Sequence, residues 1–125
     1  MIQAEELRIG NKLLMEFENV DETVNSRMIG FIAIANRTQK PHPFVGILIR
    51  EEILLKCGFD EYSDELTIKL GHRYFLCYSK TTKRIFTENT DLDDDGAVYH
   101  EHIKYLHQLQ NLYFALTGKE LEIKL

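Results

Sequence analysis

The sequence contains few of the residues and segments that mark secreted, disulfide-rich and membrane proteins. It has no tryptophan, two prolines and two cysteines, Cys57 and Cys77. It has no run of roughly 20 apolar residues, the length that a membrane-spanning helix requires. The opening segment MIQAEELRIGN has neither the basic nor the apolar region of a secretory signal. We therefore expect a cytoplasmic protein with reduced thiols and no membrane span.

The sequence also has no excess of basic residues. The chain has 15 Lys and Arg against 20 Asp and Glu, which gives a formal net charge of -5 and a pI near 5.5. Non-specific binding to nucleic acid depends on Lys and Arg side chains that neutralise phosphates. The charge balance therefore argues against a nucleic-acid partner.

The composition that remains is typical of one globular domain. The 125 residues are 44% hydrophobic and 28% charged, which is ordinary for a chain that buries a single core. The sequence has no repeat, no Ser/Gly linker and no low-complexity tract. We therefore predict a single domain over residues 1–125.

The first half of the chain predicts three strands. The segments Leu7–Phe17, Arg27–Asn36 and Phe44–Ile49 are rich in β-branched and aromatic residues, and Gly10 with Asn11 marks a bend in the first. The polar segments NVDETVNS and RTQKPHP between these strands are expected to be loops.

The second half begins with a predicted short helix at residues 51–57. The segment REEILLKCGF places two acidic residues in the first turn, Lys56 near the end and Gly58 just beyond it. The runs LTIKL, RYFLCYS and KRIFTE then predict three strands. Their short connections favour an antiparallel meander.

The segment YHEHIKYLHQLQNLYFALTG predicts a long C-terminal helix that ends at Gly118. Its apolar residues fill an arc of roughly 200° on a helical wheel, wider than contact with one sheet requires. This width predicts self-association, so one expected partner is a second copy of the chain. The final residues ELEIKL alternate and predict an edge strand.

These elements indicate an α+β fold. We expect either two small antiparallel sheets or one strongly curved, barrel-like sheet, packed with the short helix and the long C-terminal helix.

Three blocks of the sequence, ELRIGN, EEILLKCGF and HQLQNLYFALTGKELEI, resemble a family of small uncharacterised proteins encoded in prophages and mobile elements of Bacteroidetes-type bacteria. The resemblance implies a bacterial, cytoplasmic accessory protein, and it brings no activity, cofactor or catalytic residue. The chain departs from the family at Arg50, where a Thr or Ser helix cap is expected. Because Arg cannot cap, the start of the short helix is less well defined.

The segment DLDDDGAVYHEH begins like a calcium-binding loop. Asp91, Asp93 and Asp95 occupy its first, third and fifth positions, and Gly96 occupies the sixth. The twelfth position holds His102 instead of a bidentate glutamate, and the preceding segment predicts a strand where an EF-hand has a helix. We interpret the segment as an acidic connecting loop, with a calcium-binding module at the three aspartates as an alternative.

The histidines of the C-terminal segment lack the spacing of a metal site. His100, His102 and His107 are not three or four residues apart, the separation at which two ligands share a helix face. We expect them on the solvated face of the helix. Cys57 and Cys77 lie in apolar surroundings with no identifiable base, so both are predicted to be buried packing residues.

Two surfaces are candidates for binding a partner. The first is on the C-terminal helix, where Lys104, His107 and Asn111 lie near Tyr113, a combination typical of protein interfaces. The second is the hairpin tip Lys80–Arg84, where basic side chains and the nearby aromatic residues Tyr78 and Phe86 favour contact with single-stranded nucleic acid.

The sequence contains no catalytic constellation and no cofactor-binding motif. The leading hypothesis is a non-enzymatic accessory protein of a bacterial mobile element or prophage that acts by protein–protein contact. A nucleic-acid-associated protein that uses the hairpin tip and a calcium-binding module are the alternatives.

Overall fold

Two antiparallel sheets and three α-helices form the part of the chain that this computed structural model describes, residues 2–15, 20–90 and 96–124. The predicted α+β class is confirmed, and neither sheet closes into a barrel within these residues. The chain divides into two units. Unit 1 is Met1–Leu48 with Tyr105–Asn111, and unit 2 is Ile49–Lys104 with Leu112–Leu125. The single domain over residues 1–125 stays a prediction.

Unit 1 contains a three-stranded sheet with the order β2-β1-β3. Its strands are β1 (Lys12–Met15), β2 (Val20–Thr23) and β3 (Phe44–Gly46). The predicted loop NVDETVNS was wrong, because β2 lies within it and pairs with β1 from Lys12↔Thr23 onward. As an edge strand, β2 tolerates the polar residues that gave it the composition of a loop.

Helix α1 (Ser26–Arg37) replaces the predicted strand Arg27–Asn36, which was wrong. The Asn25 side chain caps the helix by accepting a hydrogen bond of 2.9 Å from the backbone N–H of Met28. Ile32 and Ala35 are its buried residues, and their spacing of three is helical. The isoleucines of this segment suggested a strand, but the cap and the burial of one face favour the helix.

A buried polar network fastens the N-terminal segment of unit 1 to its part of the C-terminal helix. Asn11 is fully buried, accepts a hydrogen bond from the Arg8 backbone N–H at 2.7 Å and donates one to Asn111 Oδ1 at 2.9 Å. Gln110 accepts from the Lys12 backbone N–H at 2.7 Å. These amides satisfy backbone groups that would otherwise be buried without partners. The apolar core beside them includes Leu13, Val24 and Ile32.

Unit 2 contains a five-stranded meander with the order β4-β5-β6-β7-β8. Its strands are β4 (Asp60–Tyr62), β5 (Glu65–Gly71), β6 (Tyr74–Ser79), β7 (Ile85–Asn89) and β8 (Ala97–Tyr99). The predicted meander is confirmed for β5, β6 and β7. The two short edge strands were not predicted.

Helix α2 (Glu51–Lys56) confirms the predicted short helix and packs against β5. Arg50 is its N-cap residue and makes no side-chain capping bond, as its side chain predicts. The chain leaves the helix at Gly58, whose φ of +89° suits glycine.

Helix α3 (Leu106–Thr117) is shorter than predicted. Its residues 106–111 belong to unit 1 and residues 112–117 to unit 2. The predicted start was wrong because Tyr99 belongs to β8, whereas the stop at Gly118 is confirmed by its φ of +71°. The predicted edge strand ELEIKL was also wrong for its described residues 120–124, since alternation makes a strand only where a neighbour pairs with it. None of the described helices has the length and apolar character that crossing a membrane requires.

Candidate functional site

The meander of unit 2 sends alternate side chains to two opposite faces. Leu66, Tyr78 and Ile85 are cross-strand partners on β5, β6 and β7, and all three are buried on the core face. The neighbouring row lies on the opposite face, and it consists of Thr67, Cys77, Phe86 and Tyr99. We call this second surface the cysteine face.

Two glutamates flank Cys77 on the cysteine face. Glu65 lies two residues before Thr67, and Glu88 lies two residues after Phe86, so both share the face of Cys77. Glu65 pairs with Ser79, and Glu88 pairs with Phe75. These partners lie two residues after and two residues before Cys77 on β6, so the two glutamates are diagonal neighbours of the cysteine. The thiol sulfur and one oxygen of each carboxylate lie within 4.8 Å of one another.

A cavity of about 260 Å³ opens over this cluster. Cys77 is 1% exposed, and both glutamates are half-buried. The other residues that line the cavity are Tyr62, Thr67, Phe75 and Thr90. The cluster is therefore a set of three ionisable groups held by three adjacent strands around one cavity.

Burial and neighbouring negative charges raise the pKa values of two groups in the cluster. Burial, together with the charges of Glu65 and Glu88, raises the pKa of the Cys77 thiol to about 12. Burial also raises the pKa of Glu65, with contributions from Glu88 and Asp64. Among the residues that the structure describes, no basic side chain pairs with either glutamate of the cluster. A positive ion between the three groups would lower these pKa values.

The donor set matches a cation of intermediate softness. Carboxylate oxygens alone suit calcium and magnesium, whereas a thiolate favours zinc and softer ions. Zinc binds sulfur at about 2.3 Å and carboxylate oxygen at roughly 2.0–2.2 Å, which implies about 3.6 Å between ligand atoms in a tetrahedral site. The ligand atoms lie within 4.8 Å of one another, so binding an ion would draw them together by up to about 1.2 Å.

The structure places the predicted interaction residues in different environments. His107 is fully buried and bonded to Glu6, so its predicted place on a solvated helix face was wrong. Asn111 is half-buried and donates to the Glu6 carbonyl oxygen at 2.8 Å. Lys104 is exposed and precedes α3, and Tyr113 is half-buried on α3. The polar residues His107 and Asn111, interpreted as part of a solvated face, instead form hydrogen bonds to Glu6.

The sequence also predicted a candidate calcium loop and two buried thiols. The candidate calcium ligands Asp91, Asp93 and Asp95 lie outside the described residues. Burial of both thiols is confirmed, and burial also raises the pKa of Cys57 to about 12. Whether the thiols are unreactive stays a prediction.

The basic hairpin tip is neutralised by neighbouring carboxylates. Lys80 lies 3.1 Å from Glu61, Lys83 lies 3.9 Å from Glu51, and Arg84 pairs with Glu101. The aromatic residues expected to stack on bases, Tyr78 and Phe86, are both buried. The two buried rings are not exposed for stacking on bases, and the nucleic-acid alternative stays a prediction.

Sequence reasoning did not find the cluster around Cys77. The three residues belong to three different strands, and no local motif joins them. The register of the meander is the signal that would have found them. Glu65 lies on the face of β5 opposite the buried Leu66, and Glu88 lies on the face of β7 opposite the buried Ile85.

Comparison with known proteins leaves the site to be interpreted from its geometry. No family model matches the sequence, and no curated protein and no solved structure is significantly similar to it.

Proposed function

We propose that this protein is a non-enzymatic binding protein that holds one divalent cation of the zinc class between Glu65, Cys77 and Glu88. The proposal rests on a thiol and two carboxylates that approach within 4.8 Å of one another beneath a cavity. The charge of Glu88 raises the pKa values of Glu65 and of the Cys77 thiol, and a divalent cation removes that repulsion.

A binding role fits the surroundings of the cluster better than a hydrolytic one. A zinc ion with three protein ligands keeps one coordination position for water or another ligand. Hydrolysis at such a position requires a general base close to the bound water. Beyond the two proposed carboxylate ligands, the described lining residues are Tyr62, Thr67, Phe75 and Thr90, none of which is a base at neutral pH.

The wider role that we propose is the one implied by the sequence resemblance, an accessory protein of a bacterial mobile element that acts by contact with another protein. The cysteine face supports this role because Tyr62 and Tyr99 are 64% and 44% exposed on it. Exposed aromatic residues are enriched at protein interfaces. The remaining coordination position of the cation is open to a side chain of the partner.

Titration of the chelator-treated protein with Zn²⁺ in a calorimeter tests the cation site. We expect one ion per chain with a Kd of about 1 μM or lower, which corresponds to roughly -8 kcal/mol. Because the thiol is protonated at neutral pH, uptake should release one proton and the affinity should rise with pH. Titration with Co²⁺ should produce the thiolate-to-metal charge-transfer band in the near ultraviolet.

Matched variants separate this site from adventitious binding. Cys77→Ala should abolish both the calorimetric signal and the cobalt band, whereas Cys57→Ala, which removes the other buried thiol, should retain them. Undiminished zinc affinity in folded Cys77→Ala would refute the proposal. Binding that is lost in Asp93→Ala but retained in Cys77→Ala would instead favour a site at the acidic loop.

A further inference from the structure

Unit 1 contains a separate cavity of about 490 Å³, within the range of roughly 300–1,000 Å³ that is typical of small-molecule sites. Strand β3 forms one wall, Tyr105 another, and the N-terminal residues Ile2 and Glu6 a third. The lining is mostly apolar, with a small number of polar side chains. This combination is typical of pockets that bind an organic ligand.

The backbone of unit 1 fixes the position of the Tyr105 ring at the cavity wall. A Cβ atom on Gly46 would lie 2.6 Å from Cγ and Cδ1 of Tyr105, so only glycine allows the ring to lie this close to β3. Tyr105 also forms an antiparallel bridge with Leu48, and the Leu106 N–H donates to the Ile47 carbonyl oxygen at 2.7 Å. The aromatic wall is therefore held by backbone contacts on both sides of the tyrosine.

His42 lines the cavity between two prolines, and its ring contains a buried hydrogen-bond acceptor without a partner among the described residues. Its Nε2 lies 3.2 Å from the carbonyl oxygen of Ile2, so Nε2–H donates there. In the neutral ring, Nδ1 is then an acceptor. His42 is 9% exposed, and its buried Nδ1 has no partner among the described residues. A buried acceptor without a partner is destabilising unless something donates to it.

Glu6 supplies a negative charge to the same cavity. Its Oε1 accepts a hydrogen bond of 2.9 Å from Nε2 of His107, which is fully buried and stacks on the Tyr105 ring. This contact fixes the carboxylate, whose side chain is 37% exposed. The described lining has no Lys or Arg to neutralise it. The polar part of the cavity therefore offers a carboxylate beside the aromatic rings of Tyr105 and Phe44.

We propose that this cavity binds a small, flat organic cation, a protonated aromatic amine or amidine. Its N–H groups donate to Glu6, and its ring packs against Tyr105. An aromatic cation pairs with the carboxylate and also interacts favourably with the aromatic walls. A carboxylate ligand would meet the charge of Glu6. This site lies within unit 1, and the inference does not depend on the proposed cation in unit 2.

Three isosteric probes, benzamidine, benzamide and benzoate, test the proposal by their charge. We expect benzamidine to bind with a Kd of about 1 mM, typical of a fragment, and to bind at least ten-fold more tightly than benzamide or benzoate. Affinities are measured by ligand-detected NMR. In a protein with ¹⁵N-labelled histidine, benzamidine should shift the ring nitrogen resonances of His42, because this residue lines the cavity.

Two variants and a control locate the binding. Glu6→Gln keeps an acceptor for His107 and should reduce the affinity for benzamidine at least ten-fold. Val45→Phe fills the cavity from β3 and should abolish binding of all three probes. Glu5→Gln changes the neighbouring, exposed glutamate and should leave binding unchanged. Circular dichroism confirms that each variant is folded.

Four results would overturn the proposal. These are the absence of benzamidine binding up to about 10 mM, equal affinity for the three probes, a preference for benzoate, and unchanged benzamidine affinity in folded Glu6→Gln.

Discussion

Replacing Glu65 by glutamine should stabilise the metal-free protein at neutral pH. Burial, the charge of Glu88 and the charge of Asp64 raise the pKa of Glu65 above its ordinary value of 4.5. An acid whose pKa is raised by folding favours the folded state while it is protonated. Its contribution to stability is present below pH 4.5 and is lost as the pH rises through the raised pKa. At neutral pH the ionised side chain is therefore destabilising, and glutamine removes the charge with little change in shape.

The magnitude follows from the distance between the carboxylates. An oxygen of Glu65 and an oxygen of Glu88 lie within 4.8 Å. Coulomb's law gives about 1 kcal/mol of repulsion at the dielectric constant of water and about 3 kcal/mol at an effective value of roughly 20. Both side chains are half-buried, so we expect a gain of about 1–2 kcal/mol in the free energy of unfolding. For a chain of this length that corresponds to a rise in Tm of roughly 3–8 °C.

Scanning calorimetry with a chelator present measures the effect without bound metal. The gain should be found at about pH 7 and should disappear at about pH 4, where both the glutamate and the glutamine are neutral. Glu61→Gln on β4 is the control, because Glu61 pairs with Lys80 at 3.1 Å and its loss should be neutral or slightly destabilising. The reasoning would be refuted if Glu65→Gln had an unchanged or lower Tm at pH 7, or if the gain persisted at pH 4.

Three further predictions concern stability and thiol reactivity. Asn11→Ala should lower the free energy of unfolding in urea by about 1–3 kcal/mol, because it leaves buried polar groups without partners. An unchanged free energy of unfolding would show that the hydrogen bonds of Asn11 do not stabilise the fold. Cys57 and Cys77 should react slowly with iodoacetamide in the native protein, because burial raises both pKa values to about 12; rapid labelling before unfolding would contradict this. Burial and the charge of His102 lower the pKa of His100, so its contribution to stability is present above pH 6.5 and is lost as the pH falls. His100→Gln should therefore lose less stability than the wild type between about pH 7 and pH 5, and equal losses would count against this assignment.

The failed strand at Arg27–Asn36 shows where local patterns mislead. Isoleucine and phenylalanine favour strands when they lie on a pleated, half-buried surface, yet that preference depends on having neighbours to pack against. In α1 the same residues divide between a buried side, with Ile32, and an exposed side, with Phe31 and Ile34. The capping side chain of Asn25 was part of the segment interpreted as a loop. A short polar segment before an apolar run is compatible with a loop and with a helix cap, and the sequence alone does not distinguish them.

Elements whose signals are local were predicted correctly. The acidic first turn of α2, the stop at Gly118 and the closely spaced strands β5, β6 and β7 each depend on residues that are close in sequence. The length of α3 was not predicted correctly, because Tyr99 fits the helical pattern but is paired with Phe86 in the sheet. Pairing with the preceding strand β7 outweighed a weak helical preference there.

The sequence by itself determined the α+β class, the antiparallel meander and the burial of the two thiols, because alternation, turn spacing and apolar composition act over a few residues. Only the tertiary structure decided which polar residues meet. The register of three strands brings Glu65 and Glu88 to Cys77, and the fold of unit 1 brings Glu6 to His107. These contacts join residues on different elements, 11 or more positions apart along the chain. No local preference encodes such contacts, since they depend on how strands align and how helices pack after the chain has folded.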